Sequence, residues 1–167
     1  MGYIPEKAAS ETVKEEVYLL QINEVSMLMS GELPYTIDAK GRMSFPQRFR
    51  DIIGDRFILT RGADKRLTAY SEEKWQELML KISAMREGRE KEILKQIYIK
   101  GAIPVEADKM GRILVPQALR EYAGLLKDVY VVGAMDTAEI WDKTTYEAFT
   151  QSIAPDELYS ALGSLGV

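Results

Sequence analysis

"DAKGR" at residues 38–42 and "DKMGR" at residues 108–112 share an Asp, a Gly three residues on and an Arg four residues on. A turn accounts for two of the three. Asp at the first position accepts from backbone N–H groups ahead of it, and Gly takes the positive-φ position of a tight hairpin connection. Asp38, Gly41, Asp108 and Gly111 are therefore expected to form two hairpin tips. Arg42 and Arg112 are surplus to the turns.

The repeat extends beyond the pentapeptides. At an offset of 70, "DAKGRMSFPQRFRDIIG" lies over "DKMGRILVPQALREYAG", matching Pro46 with Pro116, Gln47 with Gln117, Arg50 with Arg120 and Gly54 with Gly124. Slipping one residue then sets Gly62 on Gly133 and Tyr70 on Trp141. "YTI" before the first turn and "ILV" after the second have the content of strands. Pro46 and Pro116 suit the first turn of a short helix, whose buried face is Phe49, Ile52 and Ile53 in one copy and Leu119, Tyr122 and Ala123 in the other. Gly54 and Gly124 end it. "RFILT", "LTAY", "VYVVG" and "AEIWD" supply further strands, so each unit reads ββαββ. A unit of about 40 residues buries too little by itself, and two together could close one barrel.

Between the units, "SEEKWQELMLKISAMREGREKEILKQIYIKG" begins with an acidic turn and carries apolar positions at Trp75, Leu78, Met79 and Ile82, then at Ile93, Leu94 and Ile97. It reads as a helical hairpin broken at Gly88, with both stripes packed into the core.

Composition removes whole classes of function. The 167 residues contain neither Cys nor His, which excludes disulfides, thiolate chemistry, His-based relays and zinc sites with nitrogen or sulfur ligands. No run of about 20 apolar residues marks a membrane span, so a cytoplasmic location is expected, with no metal, cofactor or small-molecule substrate. Net charge is −4, yet residues 31–70 hold eight basic against five acidic residues and residues 101–167 five against ten. Positive charge gathers on the first copy, and a local basic surface is what attracts phosphate.

"YTIDAKGRMSFPQRFR", the helical insert, "ADKMGRILVPQALREYAGL" and "VVGAMDTAEIWD" together resemble the MraZ family, bacterial transcriptional regulators with two tandem AbrB-like (SpoVT-AbrB) halves that each carry a D-x-x-x-R motif. The resemblance covers residues 28 to about 150 and extends to "PDELYSALGSLG" as a C-terminal helix. It implies an α+β, β-rich fold: a pseudo-two-fold barrel of swapped hairpins, with an inserted helical hairpin. It divides the chain into an N-terminal extension (1–27), a first half (28–70), a connector (71–100), a second half (101–142) and a C-terminal helical segment (143–167). It also implies a ring-shaped homo-oligomer, associated with the nucleoid, that binds double-stranded DNA at direct repeats in the promoter of the division and cell-wall gene cluster.

Carried onto this sequence, the motif residues are Asp38, Arg42, Asp108 and Arg112. Lys40 in the first tip is replaced by Met110 in the second, where Lys109 stands one position earlier. Two roles stay open for Arg42: pairing with Asp38 to fix the hairpin, or reaching a phosphate or guanine edge while Asp38 holds it. Arg50 and Arg120, present in both copies, suit an inter-copy ion pair, and Arg61, Lys65 and Arg66 read as a solvated charge run. Two alternatives belong to other classes. One is a ring-forming scaffold that never meets DNA; the other is a hydrolase with Asp38 and Asp108 as a carboxylate dyad, which would need a raised pKa rather than the lowered one of a turn-capping carboxylate. Residues 1–27 fall outside the resemblance, either as a genuine acidic extension or through an upstream start, and "EEVYLLQI" in them could be strand or helix.

Overall fold

The computed structural model describes residues 11–20 and 28–167. A helix over residues 11–20 (α1) precedes two ββαββ units. The first comprises β1 (Glu32–Thr36), β2 (Arg42–Ser44), α2 (Gln47–Ile53), β3 (Arg56–Arg61) and β4 (Leu67–Ser71). The connector follows as α3 (Glu72–Ser83) and α4 (Arg89–Ile93), which runs on into a π-helical segment, Leu94–Ile99. The second unit is β5 (Ile103–Glu106), β6 (Arg112–Leu114), α5 (Gln117–Ala123), β7 (Asp128–Ala134) and β8 (Thr137–Asp142), and α6 (Lys143–Gln151) and α7 (Pro155–Gly163) close the chain. The fold is α+β, as the repeat implies, but it is not β-rich. Helix takes 47% of the described residues against 28% in strands, because the strands are short while the connector and both flanks are helical. The "EEVYLLQI" segment is helical as far as residue 20; residues 1–10 and 21–27 of the extension lie outside the described residues.

Strand pairing crosses between the units. The larger sheet has the order β1-β7-β8-β4-β3-β5, all antiparallel. β1 thus pairs with a strand of the second unit, Glu32 opposite Val132, and β5 with a strand of the first, Phe57 opposite Val105. β2 and β6 pair only with each other, as a separate two-stranded ribbon. The expected hairpins are therefore brief. The first tip closes through a single bridge, Ile37 to Met43, after which β1 enters the large sheet and β2 the ribbon. The turn chemistry specifies the tip, whereas cross-unit partners take the strands beyond it.

Inward-facing residues of both units share one core. Phe45, Phe49, Phe57, Leu59, Val115, Val131 and Ile140 are all buried, and Phe45 and Phe57 lie 4.7 Å apart. Each such side chain contributes about 1.5–3 kcal/mol relative to exposure. Phe49 and Ile53 of α2, like Leu119 and Ala123 of α5, are buried on the face their spacing predicts. Pro46 and Pro116 stand one position before each helix rather than in its first turn, and their carbonyls accept from Phe49 and Arg50 and from Leu119 and Arg120. Gly88 does separate the connector helices.

Three expectations change. The connector stripe is only partly core: Ile82 is buried, but Ile93 and Ile97 are 44% and 42% exposed, since periodicity finds an apolar face without saying what covers it. Arg50 and Arg120 do reach the other unit, although not as an ion pair between the units. Arg120 donates to Val115 O and Ala39 O, and Arg50 donates to Phe45 O and pairs with Asp55 of its own unit. A Cβ on Gly41 would stand 2.8 Å from Arg120 Nε, and one on Gly111 2.6 Å from an Arg50 terminal nitrogen. Each arginine therefore covers the other unit's turn, and Arg120 also bonds a carbonyl there, Ala39 O. The run Arg61, Lys65, Arg66 is also more than solvated loop: Arg66 pairs with Glu139 at 2.9 Å and lies over Trp141, while Arg61 and Lys65 lie over Tyr122.

Candidate nucleic-acid interface

The two D-x-x-x-R turns have nearly the same geometry. Asp38 Oδ1 accepts from the backbone N–H groups of Lys40 and Arg42, each at 2.9 Å, and Oδ2 accepts from Arg42 Nε at 3.1 Å. Asp108 does likewise with Met110 N, Arg112 N and Arg112 Nε. Gly41 and Gly111 take φ of +89° and +76° and donate back to the Asp carbonyls. The backbone N–H of Arg42, and then its side chain, hold the Asp38 carboxyl below its ordinary value of 3.8, and Arg112 does the same for Asp108. That is the direction of a turn-capping carboxylate and opposite to the raised value a shared-proton dyad would need.

The pairing role is present for both arginines, and it leaves their outer nitrogens unused. Only Nε is engaged by the Asp, so each guanidinium keeps its two terminal nitrogens clear of the pair. The ribbon aims them: Met43 and Ile113 point into the core, whereas Arg42, Ser44, Arg112 and Leu114 share the outer face. In its register Arg42 stands opposite Leu114 and Ser44 opposite Arg112. The two arginines are therefore diagonal neighbours, a relation in which side chains lie about 7–8 Å apart. Lys40 and Lys109 are exposed at the two tips, and neither side chain has a hydrogen bond or ion pair among the described residues. Met110, 75% exposed, occupies the second tip where the first has Lys40.

Lys127 joins the site although the motif does not contain it. It lines the same shallow cleft as Asp38, Arg42, Ser44 and Arg112, and its carbonyl accepts from Ile37 N at 2.8 Å, next to the first turn. Nothing in its local sequence marks it, because its proximity follows from the cross-unit pairing of β1 with β7.

The turns should be acid-sensitive. A folded pKa below the unfolded one stabilises above about pH 4 and is lost as pH falls through the folded value. Asp38→Asn removes that term, so urea melts of the wild type and the variant should differ at pH 7 and converge toward pH 2.

Known proteins match this sequence. The family model described as "MraZ protein, putative antitoxin-like" matches residues 28–96 and 98–160, with its break inside the connector. Among curated proteins the chain is similar to "Transcriptional regulator MraZ" of Acetivibrio thermocellus, 40% identical over 140 residues, which are 82% of this chain and 98% of that protein. It is likewise similar to the proteins of that name in Caldicellulosiruptor bescii and Thermoanaerobacter pseudethanolicus. Each of these is 36% identical over 143 residues, 84% of this chain and 100% of the relative. With both halves matched in tandem, and relatives covered from end to end, the chain belongs to the MraZ family.

Proposed function

We propose that this chain is a DNA-binding transcriptional regulator whose reading surface is the β2–β6 ribbon and its two tips. The observation that carries it is the pair of arginines on one outer face, each held at Nε by an Asp and free at its terminal nitrogens. A two-stranded ribbon is narrow enough to enter the major groove, and Arg is suited to the O6 and N7 acceptors of guanine. Lys40, Lys109 and Lys127 would contact phosphates beside it, where they position the protein without reading sequence. The crossed pairing of β1 with β7 and of β5 with β3 supports the fuller architecture, a pseudo-two-fold swapped-hairpin barrel. The curated relatives carry regulator in their name, which supports the same reading.

One ribbon makes few contacts. Affinity then comes from several ribbons on one assembly meeting repeated DNA elements, through effective concentration. A ring-shaped homo-oligomer on direct repeats in its own promoter, upstream of division and cell-wall genes, fits that requirement. The chain would work in the cytoplasm at the nucleoid; among the described residues no helix is long and apolar enough to cross a membrane.

Mobility-shift titration on the protein's own upstream region, against a shuffled fragment of equal length, tests the reading. Selective retention is expected, with log affinity falling linearly in log salt, by about 0.9 per phosphate neutralised. Lys40→Ala should weaken both fragments alike and flatten that slope by about 0.9 for each engaged copy. Retention of neither fragment would favour the scaffold alternative, and equal retention of both would leave DNA binding without sequence reading.

A further inference from the structure

Helix α7 is built for a partner that it does not have among the described residues. Every residue from Gln151 to Val167 is exposed, Leu158 to 58% and Leu165 to 78%. A nine-residue helix is marginal in water without packing. Yet its start is well made, with Pro155 in the first turn and Glu157 accepting from Ala154 N at 2.6 Å. At 100° per residue, Leu158, Ala161 and Leu162 project to one side, with Asp156 and Ser160 opposite and Glu157 at the edge. This is an amphipathic helix with an acidic first turn and an uncovered apolar face.

Two apolar grooves could receive such a face, and charge decides between them. One, floored by Ile52, Ile53 and Met135, is rimmed by Glu73, Glu77 and Asp136 against the single cation Lys74, and would repel an acidic helix. The other runs between α3 and the π-helical segment of the connector, with Met79, Ile82 and Ile99 in it and Lys91 and Lys95 beside them. Lys91 is committed to Glu87 and to the carbonyls of Ser83 and Met85. Lys95 lies within electrostatic reach of Glu87 but makes no ion pair within 4 Å among the described residues. Residues 152–154 are the whole tether between α6 and α7, a reach of about 10 Å. α6 is itself fixed to the sheet by Phe149 on Trp141, and α7 does not occupy its own chain's groove.

We infer that α7 of one copy seats in the connector groove of a second copy, with Leu158 and Leu162 entering between the helices and Glu157, at the edge of the face, toward Lys95. A helix laid in a groove between two others is a recurrent docking mode. Because donor and acceptor surfaces differ, the contact is head-to-tail, and such contacts close into rings or continue as filaments. The inference rests on the self-association part of the proposed function and is independent of DNA binding.

The absence of cysteine permits a direct test. Met79→Cys and Leu162→Cys chains, mixed under mild oxidation, should yield a covalent dimer that neither gives alone, and the double variant Met79→Cys/Leu162→Cys should yield a ladder. Dimer absent from the mixture, or a double variant that closes only on itself, would overturn the inference. Leu158→Asp/Leu162→Asp should keep the near-ultraviolet circular dichroism of its core aromatic residues and elute at the single-chain mass of 18.9 kDa; an unchanged assembly would also overturn it. Glu157→Lys should weaken assembly and Lys95→Glu restore it. A ladder without DNA retention leaves the docking intact and removes the regulator reading, and retention without a ladder does the reverse.

Discussion

Arg42→Ala/Arg112→Ala should abolish discrimination between the upstream fragment and a shuffled one. A base-reading Arg contributes about 1–3 kcal/mol of discrimination. Losing both from one ribbon therefore weakens specific binding by about 30-fold or more, and the deficit multiplies over every ribbon engaged on repeated DNA. Residual affinity should be the salt-dependent, sequence-independent part carried by the lysines. Folding should scarcely change, because both ion pairs are half-exposed and such pairs contribute little. Mobility shifts on the two fragments, with sizing of the same preparations, separate lost contact from lost assembly. A double variant that still discriminates would remove the arginines from the reading surface. If Arg42→Ala alone reproduces the double variant, the tip carrying Lys40 is the one that reads, and the tip carrying Met110 serves to position it.

The second large effect is on stability, at Phe45. This residue follows β2, is buried, lies 4.7 Å from Phe57 and 6.3 Å from Phe49, and donates its backbone N–H to Gly111 O in the opposite turn. It joins the ribbon to the larger sheet. Phe45→Ala should cost about 3–5 kcal/mol in urea unfolding, a large share of the roughly 5–15 kcal/mol that holds a domain together. Phe45→Leu keeps most of the volume and should cost well under half of that. A loss below about 1 kcal/mol for the alanine variant would mean that the ribbon is anchored elsewhere.

Much of this molecule is legible in the residues themselves. The offset between Asp38 and Asp108 reveals two copies of one unit, and local chemistry places the turns, the short helices and the break at Gly88. What stays hidden is whatever depends on residues distant in sequence. No spacing says that β1 pairs with β7 rather than β2, since strand partners across 100 positions leave no local signature. For the same reason Lys127 is invisible as a neighbour of Asp38, and Arg50 and Arg120 give away their repetition without revealing that they bond carbonyls. Ile93 and Ile97 fail differently: a helical period identifies a stripe, and only the assembled fold shows that the described residues leave it open.

The crossed pairing has a consequence for synthesis. Glu32 lies opposite Val132, so β1 emerges from the ribosome 100 residues before its partner exists. At about 5–20 residues per second the growing chain holds an unpaired strand edge for roughly 5–20 s, in the company of other half-made copies whose β7 would fit it equally well. Pro34 in the middle of β1 withholds one donor from such an edge, and Pro104 does the same in β5. The two strands that must wait longest, or arrive to close the exchange, are thus the two least able to recruit a stranger.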